Sequence, residues 1–88
     1  MWLLVVNPRA GKGKARSLTA QLEILLQNHN LHYDKIDNSS FIDTKSEFRS
    51  RIASGKFKKV IAIGGDGLIN LCLQEIAERT IALAVIPA

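Results

Sequence analysis

The chain has 88 residues, of which 47% are apolar, with a formal net charge of +4 and one cysteine. This length allows a single domain with a modest core, and the lone Cys72 excludes an internal disulfide, as is typical of a reducing compartment. The positive charge suits a phosphorylated small molecule, an anionic membrane surface or nucleic acid. No nucleic acid is expected, because aromatic residues make up only 6% of the chain and form no stacking platform.

The sequence predicts a cytoplasmic location. Met1 and Trp2 lead straight into an apolar run, with no basic segment and no small-residue cleavage site, so we expect no signal peptide. The longest apolar run, residues 81–86, is far shorter than the roughly 20 residues that span a bilayer. The lysines at 56, 58 and 59 could still face anionic headgroups, so peripheral contact with a membrane stays open.

Four strands and three helices are predicted in alternation. Apolar or alternating runs predict strands at residues 2–6, 31–37, 58–63 and 81–86. Helical spacing predicts helices at residues 15–29, about 44–54 and 68–78, the first with an apolar stripe formed by Leu18, Leu22, Leu25 and Leu26. A capping box of Thr44 and Glu47 is expected to start the second helix. The order βαβαβαβ indicates an α/β fold, an open parallel sheet with helices on both faces.

The strand order can be predicted from two glycine-bearing loops, which follow the first and third strands. In the order 2-1-3-4 these strands are neighbours, and both loops meet at the switch point where open α/β sheets bind ligands. The order 3-2-1-4 would separate them, so we favour the first. It leaves an apolar fourth strand at the sheet edge, which complete proteins avoid. We therefore expect an incomplete, N-terminal subdomain, or association with a second copy through this edge.

The loop after the third strand is Gly64-Gly65-Asp66-Gly67. Its glycines allow a sharp turn and a close approach of the backbone to a ligand. The helix that follows presents free N–H groups and partial positive charge, which favour a phosphate. Asp66 adds a carboxylate for a sugar hydroxyl, a metal ion or a bound water. The alternative is a plain strand-to-helix turn in which Asp66 caps the helix.

The loop after the first strand is rich in cations. Arginines and lysines occupy positions 9, 12, 14 and 16, at a predicted helix N-terminus where they oppose the helix dipole. A bound polyanion would remove this conflict, although a solvated basic loop remains an alternative. The loop is not a P-loop, because Ala15 follows Gly13-Lys14, and it lacks the third glycine of the dinucleotide fingerprint.

Taken together, these motifs resemble a known family. Asn7-Pro8, the run 11–14, the run 64–67 and Asn70 are similar to the nucleotide-binding half of the diacylglycerol kinase catalytic domain. This family includes bacterial diacylglycerol kinases and related lipid kinases, ceramide kinases and sphingosine kinases. The resemblance covers essentially the whole chain. More distantly, the chain is similar to NAD kinases and phosphofructokinases, which share a Gly-Gly-Asp-Gly turn.

The resemblance implies a kinase that transfers the γ-phosphoryl group of ATP, with Mg²⁺, to a lipid hydroxyl. It implies that residues 1–88 are an ATP-binding subdomain, and that the lipid pocket and the catalytic base lie beyond Ala88 in a β-rich domain. No catalytic residue or metal ligand is therefore assigned in this chain. The implied ATP contacts are Asn7, Pro8, Arg9, Ala10, Gly11, Lys12, Asn38, Gly64, Gly65, Asp66, Gly67, Leu68 and Asn70.

Two residues depart from the family pattern and keep alternatives open. Leu68 stands where the family usually has threonine, and Leu71 where it often has glutamate. The absence of the threonine hydroxyl and of the glutamate carboxylate favours, as an alternative, a non-catalytic module that binds a nucleotide or a phospholipid. An enzyme similar to NAD kinases is a further alternative. His29 and His32 fall across a helix end and a strand start, so they predict no metal site.

Overall fold

The computed structural model describes all 88 residues, and its strands form one parallel sheet in the order β2-β1-β3-β4. The strands are β1 (Trp2–Val6), β2 (Tyr33–Asp37), β3 (Lys59–Gly64) and β4 (Ala82–Pro87), and the helices are α1 (Lys14–Asn28), α2 (Phe41–Ala53) and α3 (Asp66–Ile76). A 3-10 turn, Ala10–Gly13, precedes α1. The predicted fold class and strand order are both confirmed.

The sheet register brings the ends of the central strands together. Val6, the last residue of β1, lies opposite Asp37 of β2 and Ile63 of β3. Gly64, the last residue of β3, lies opposite Pro87 of β4. The loops that leave β1 and β3 therefore begin side by side at one edge of the sheet, as the predicted order required.

Helices cover both faces of the sheet, because β1 and β3 are apolar at successive positions and successive side chains point to opposite faces. On one face α2 and α3 pack on the sheet, through a cluster composed of Leu3, Val5, Ile36, Phe48, Ile52, Phe57, Val60, Ala62, Leu68, Leu71, Cys72 and Ile76. On the other face α1 packs alone, through Val6, Ala15, Ile61 and Ile63 with the partly buried Leu18 and Leu22. Helices thus lie on both faces of the sheet, as predicted.

The start of α2 differs from the prediction. The helix begins at Phe41 rather than near Thr44, and its N-cap is Ser40, whose hydroxyl accepts a hydrogen bond from the Asp43 N–H at 3.3 Å. Thr44 is buried, and its hydroxyl donates to the Asn38 carbonyl at 3.2 Å. The capping-box prediction was wrong because an earlier serine caps the helix, which leaves Thr44 in its first turns.

Smaller differences concern α1, α3 and the edge strands. Leu25 is 54% exposed, whereas Thr19 is buried and donates its hydroxyl proton to the Ala15 carbonyl at 2.7 Å. The sheet-facing row of α1 thus runs through Ala15, Thr19 and Leu26, so the predicted stripe was wrong at Leu25. Helix α3 starts two residues earlier than predicted, and β2 starts two residues later.

No helix has the length and apolar character needed to cross a membrane.

Candidate functional site

The loop after β1 begins in direct contact with the end of β3. The Asn7 N–H donates a hydrogen bond to the Ile63 carbonyl at 3.0 Å. A Cβ atom on Gly64 would lie 3.3 Å from the Asn7 Cβ atom, so the absence of a side chain at Gly64 allows the two backbones to approach this closely. The two glycine-bearing loops therefore leave the sheet side by side, at the sheet edge where ligands bind in this class of fold.

Asn7 shapes the first loop. Its side-chain oxygen accepts a hydrogen bond from the Arg9 N–H at 3.1 Å, and its carbonyl accepts one from the Ala10 N–H at 3.1 Å. Pro8 between them is buried and restricts the turn. The side-chain N–H₂ group of Asn7 has no acceptor within the chain, so it remains a donor for a ligand.

The turn before α1 is left-handed over three residues. Gly11, Lys12 and Gly13 have φ angles of 63°, 56° and 95°. Glycine adopts this left-handed backbone conformation freely, whereas Lys12 adopts it at a cost of about 1 kcal/mol or more. A Cβ atom on Gly11 would lie 3.0 Å from the Ala88 carbonyl carbon, and the Ala88 N–H donates to the Gly64 carbonyl at 3.2 Å. Ala88, directly after β4, thus contacts both this turn and the end of β3.

Helix α3 begins without a side-chain cap. Its N-cap is Gly65 in extended conformation, and Asp66 is the first helical residue, with an exposed side chain that caps no N–H group. The alternative in which Asp66 caps the helix was therefore wrong. The N–H groups of the first turn have no intrahelical acceptor, and they carry the partial positive charge of the helix dipole. This end of α3 is available to an anion.

A small cleft opens beside the two loops. Its lining residues come from the ends of β1 and β2 and from the starts of α2 and α3: Val6, Asn7, Asn38, Ser39, Phe41, Thr44 and Leu68. The Asn38 side-chain oxygen accepts from the Ser40 N–H at 2.9 Å, so this asparagine, like Asn7, keeps an unused side-chain N–H₂ group. The structure thus brings Asn7, Asn38 and Leu68 to one place.

Leu68 forms the apolar floor of this cleft. It is 2% exposed, and its Cδ2 atom would lie 2.9 Å from a Cβ atom on Gly64. Leu71, one turn further along α3, is also buried in the core cluster. Both positions that depart from the family pattern are therefore packed with hydrocarbon, which supplies neither a hydroxyl nor a carboxylate.

Asn70 lies apart from the cleft. It is exposed, and it lines a separate groove between α2 and α3 together with Phe41, Gly67 and Gln74. Phe41, which lines both the cleft and the groove, was not a predicted site residue. It escaped notice because the predicted helix start left it in an unassigned connection, far in sequence from the loops that it approaches.

The charges around the site are unbalanced. The cations of the first loop, Arg9, Lys12, Lys14 and Arg16, form no ion pair with a carboxylate, and the first turn of α1 has no acidic residue. Their repulsion from the dipole of α1 is thus uncompensated by the protein. The ion pairs lie elsewhere, so the loop region is positively charged and suits a polyanion.

Metal-ligating side chains are sparse. No three histidine, cysteine, aspartate or glutamate side chains come together in a cluster. Asp66 is the one carboxylate on the two loops. Because Mg²⁺ is commonly held by one or two carboxylates together with substrate phosphates and waters, Asp66 fits a magnesium ion that arrives with a nucleotide.

Comparison with known proteins identifies the family. The family model described as the diacylglycerol kinase catalytic domain matches residues 1–88, the full length of the chain. No curated protein matches the sequence. The match is to a kinase family and agrees with the resemblance carried by the two glycine loops. The chain therefore belongs to the diacylglycerol kinase catalytic domain family.

Proposed function

We propose that this chain is the nucleotide-binding half of an ATP-dependent lipid kinase. Family membership supports a kinase. The observation that carries the proposal is the hydrogen bond from the Asn7 N–H, in the loop after β1, to the carbonyl of Ile63 near the end of β3. It holds the basic loop beside the strand that leads into the uncapped start of α3, so that one triphosphate could use both.

The residues have complementary roles in this proposal. The free N–H groups at the start of α3 bind phosphate oxygens, and the unpaired cations of the first loop neutralise the remaining charge. The side-chain N–H₂ groups of Asn7 and Asn38 donate to the nucleotide along the cleft. Asp66 orients the Mg²⁺ ion or one of its waters. Phosphoryl transfer depends chiefly on such positioning and charge neutralisation.

The proposed reaction is phosphoryl transfer to a lipid hydroxyl, which family membership supports. The lipid hydroxyl oxygen forms a bond to the γ-phosphorus as the bond between that phosphorus and the ADP oxygen breaks. The hydroxyl proton passes to a base, and ADP is the leaving group. We propose that the base and the lipid pocket lie in residues beyond Ala88, which a Gly-Thr turn followed by an Asn-Asp pair there would support.

Titration calorimetry of Mg·ATP into the chain tests the nucleotide site. We compare the wild type with Asp66→Ala and Gly65→Val. Gly65 is suited to this test because a Cβ atom there would meet nothing within 4 Å, so a larger side chain enters ligand space without disturbing the protein. We expect weaker binding in both variants and the larger loss for Gly65→Val. Equal binding by all three proteins would refute the role of this loop.

A non-catalytic nucleotide- or phospholipid-binding module is the second candidate. The observation that favours it is the burial of Leu68 and Leu71 at positions where the family carries oxygen-bearing side chains. Lipid phosphorylation by the full-length protein, abolished by Gly65→Val, would exclude this candidate. Competition of NAD against ATP would instead favour an enzyme similar to NAD kinases.

The other proposed partners are a lipid substrate, a membrane surface and a second copy of the chain. A lipid substrate would bind through the proposed second domain, and the membrane contact would be peripheral. The outer edge of β4 has no strand beside it, and Val85 on this strand is 40% exposed. We propose that this edge is covered in the functional protein, by that domain or by a second copy. Sedimentation of the chain at several concentrations tests the second copy.

A further inference from the structure

Phe41 stands out among the aromatic residues. It is the first residue of α2 and is 48% exposed, whereas Phe48 and Phe57 are buried. Trp2 and Tyr33 begin β1 and β2, so they lie at the opposite edge of the sheet from the glycine loops. Phe41 is thus the one aromatic side chain beside the candidate nucleotide site.

The ring of Phe41 rests against the start of α3. A Cβ atom on Gly67 would lie 3.0 Å from the ring Cζ atom, 3.6 Å from Cε2 and 3.9 Å from Cε1. The tip of the ring therefore touches the glycine backbone, beside the free N–H groups of the same helical turn. The ring also borders the cleft that Asn7 and Asn38 line. An aromatic surface, hydrogen-bond donors and an anion site are thus adjacent.

We propose that Phe41 is the stacking platform for the purine base of the nucleotide, and that it contributes to the selection of ATP over simpler polyphosphates. The inference rests on the proposed nucleotide site and deepens it. Every purine has flat faces that stack on aromatic rings. The Asn38 side chain lines the neighbouring small cleft and keeps an unused N–H₂ group, which in this proposal donates to the edge of the base.

Gly67 has a defined part in this arrangement. A side chain at this position would crowd the Phe41 ring, since its Cβ atom would lie 3.0 Å from the ring Cζ atom. The absence of a side chain at Gly67 therefore lets the ring lie against α3. Phe41 in turn is too exposed to act as an ordinary core residue.

The test compares two ligands, Mg·ATP and inorganic tripolyphosphate, which share the phosphate chain but differ in the base. Dissociation constants are measured by calorimetry for the wild type, Phe41→Ala, Phe41→Trp and Ile42→Ala. Ile42 is the matched control, because it is the next residue and is 82% exposed. We expect Phe41→Ala to weaken Mg·ATP by about 5- to 100-fold and to leave tripolyphosphate unchanged. Phe41→Trp should retain ATP binding, and Ile42→Ala should match the wild type.

The outcomes separate this inference from the proposed function. A wild-type chain that does not bind Mg·ATP would overturn the nucleotide site and the platform together. A wild type that binds Mg·ATP while Phe41→Ala binds it equally well would overturn the platform alone. So would a Phe41→Ala variant that loses both ligands to the same extent, because that result indicates a structural role. In the wild type, nuclear Overhauser effects from the adenine H2 and H8 protons to the Phe41 ring should also be present, and their absence would contradict stacking.

Discussion

Gly64 and Leu68 are packed against each other so closely that a Cβ atom on Gly64 would lie 2.9 Å from the Leu68 Cδ2 atom. Gly65, the next residue, has nothing within 4 Å of the corresponding position. Adjacent glycines of one loop thus serve different purposes. The first allows the backbone to pack on the side chain of α3, and the second leaves open space on the outside of the loop.

Gly64→Ala and Gly65→Ala should therefore differ in stability. We expect Gly64→Ala to lower the free energy of unfolding by about 1–3 kcal/mol, because the added methyl group overpacks the contact with Leu68 and Asn7. Gly65→Ala should have little effect, since its φ of −98° and ψ of −169° suit any residue. Urea denaturation measures both. Equal unfolding midpoints would contradict the close packing.

Leu68→Thr should lower the stability of the fold and strengthen the binding of Mg·ATP. Leu68 is 2% exposed, so its shortening should cost about 1–3 kcal/mol through lost packing. The new hydroxyl could bond a phosphate oxygen and tighten Mg·ATP binding by about two- to tenfold. Leu68→Val is the matched control, because it has the shape of threonine without the hydroxyl. If both variants bind Mg·ATP alike, the hydroxyl makes no contact with the nucleotide.

Cys72 should be inert to thiol reagents in the folded protein. Burial raises the pKa of its thiol to about 12, so almost no reactive thiolate is present at neutral pH, and the side chain is 0% exposed. We expect modification by a disulfide reagent to be slow in buffer and fast in denaturing urea. Rapid labelling at low reagent concentration without urea would show that α3 opens readily, contrary to its packing in the core.

The ion pair between Arg49 of α2 and Glu75 of α3 should make stability depend on acid pH. Arg49 donates hydrogen bonds of 2.8 and 3.2 Å to the Glu75 carboxylate, and these bonds lower the pKa of Glu75 below its usual value of 4.5. The charged form is therefore favoured by folding. The contribution of this ion pair to the free energy of unfolding is present above the usual pKa of glutamate. It is lost as the pH falls through the lowered pKa of Glu75.

Glu75→Gln should accordingly reduce the melting temperature at pH 7 by a small amount, since the Arg49 side chain is largely exposed and water screens the ion pair. The difference from the wild type should disappear in acid, below the pKa of Glu75. Glu78→Gln is the control, because Glu78 follows α3 and forms no ion pair. A difference that persists unchanged in strong acid would show that the carboxylate acts through packing rather than charge.

Much of the fold could be predicted because it depends on local patterns. The continuous apolar runs of β1 and β3 indicated buried strands, and the glycine loops after them favoured the order in which these strands are neighbours, which the structure confirms. Helix ends were less predictable. A capping box at Thr44 and a cap at Ser40 are both compatible with the local sequence, and the hydrogen bond between Thr44 and Asn38 selects the second.

The sequence alone was enough to predict the α/β class, to favour the correct strand order and to indicate the family, because apolar periodicity, turn residues and motif spacing are properties of short segments. Three relationships required the tertiary structure: the packing of Leu68 against Gly64, the separation of Asn70 from the cleft, and the contact of Phe41 with Gly67. Each depends on the positions of the helices on the sheet to within an ångström or two. Such distances follow from the packing of many side chains at once, and no short segment contains that information.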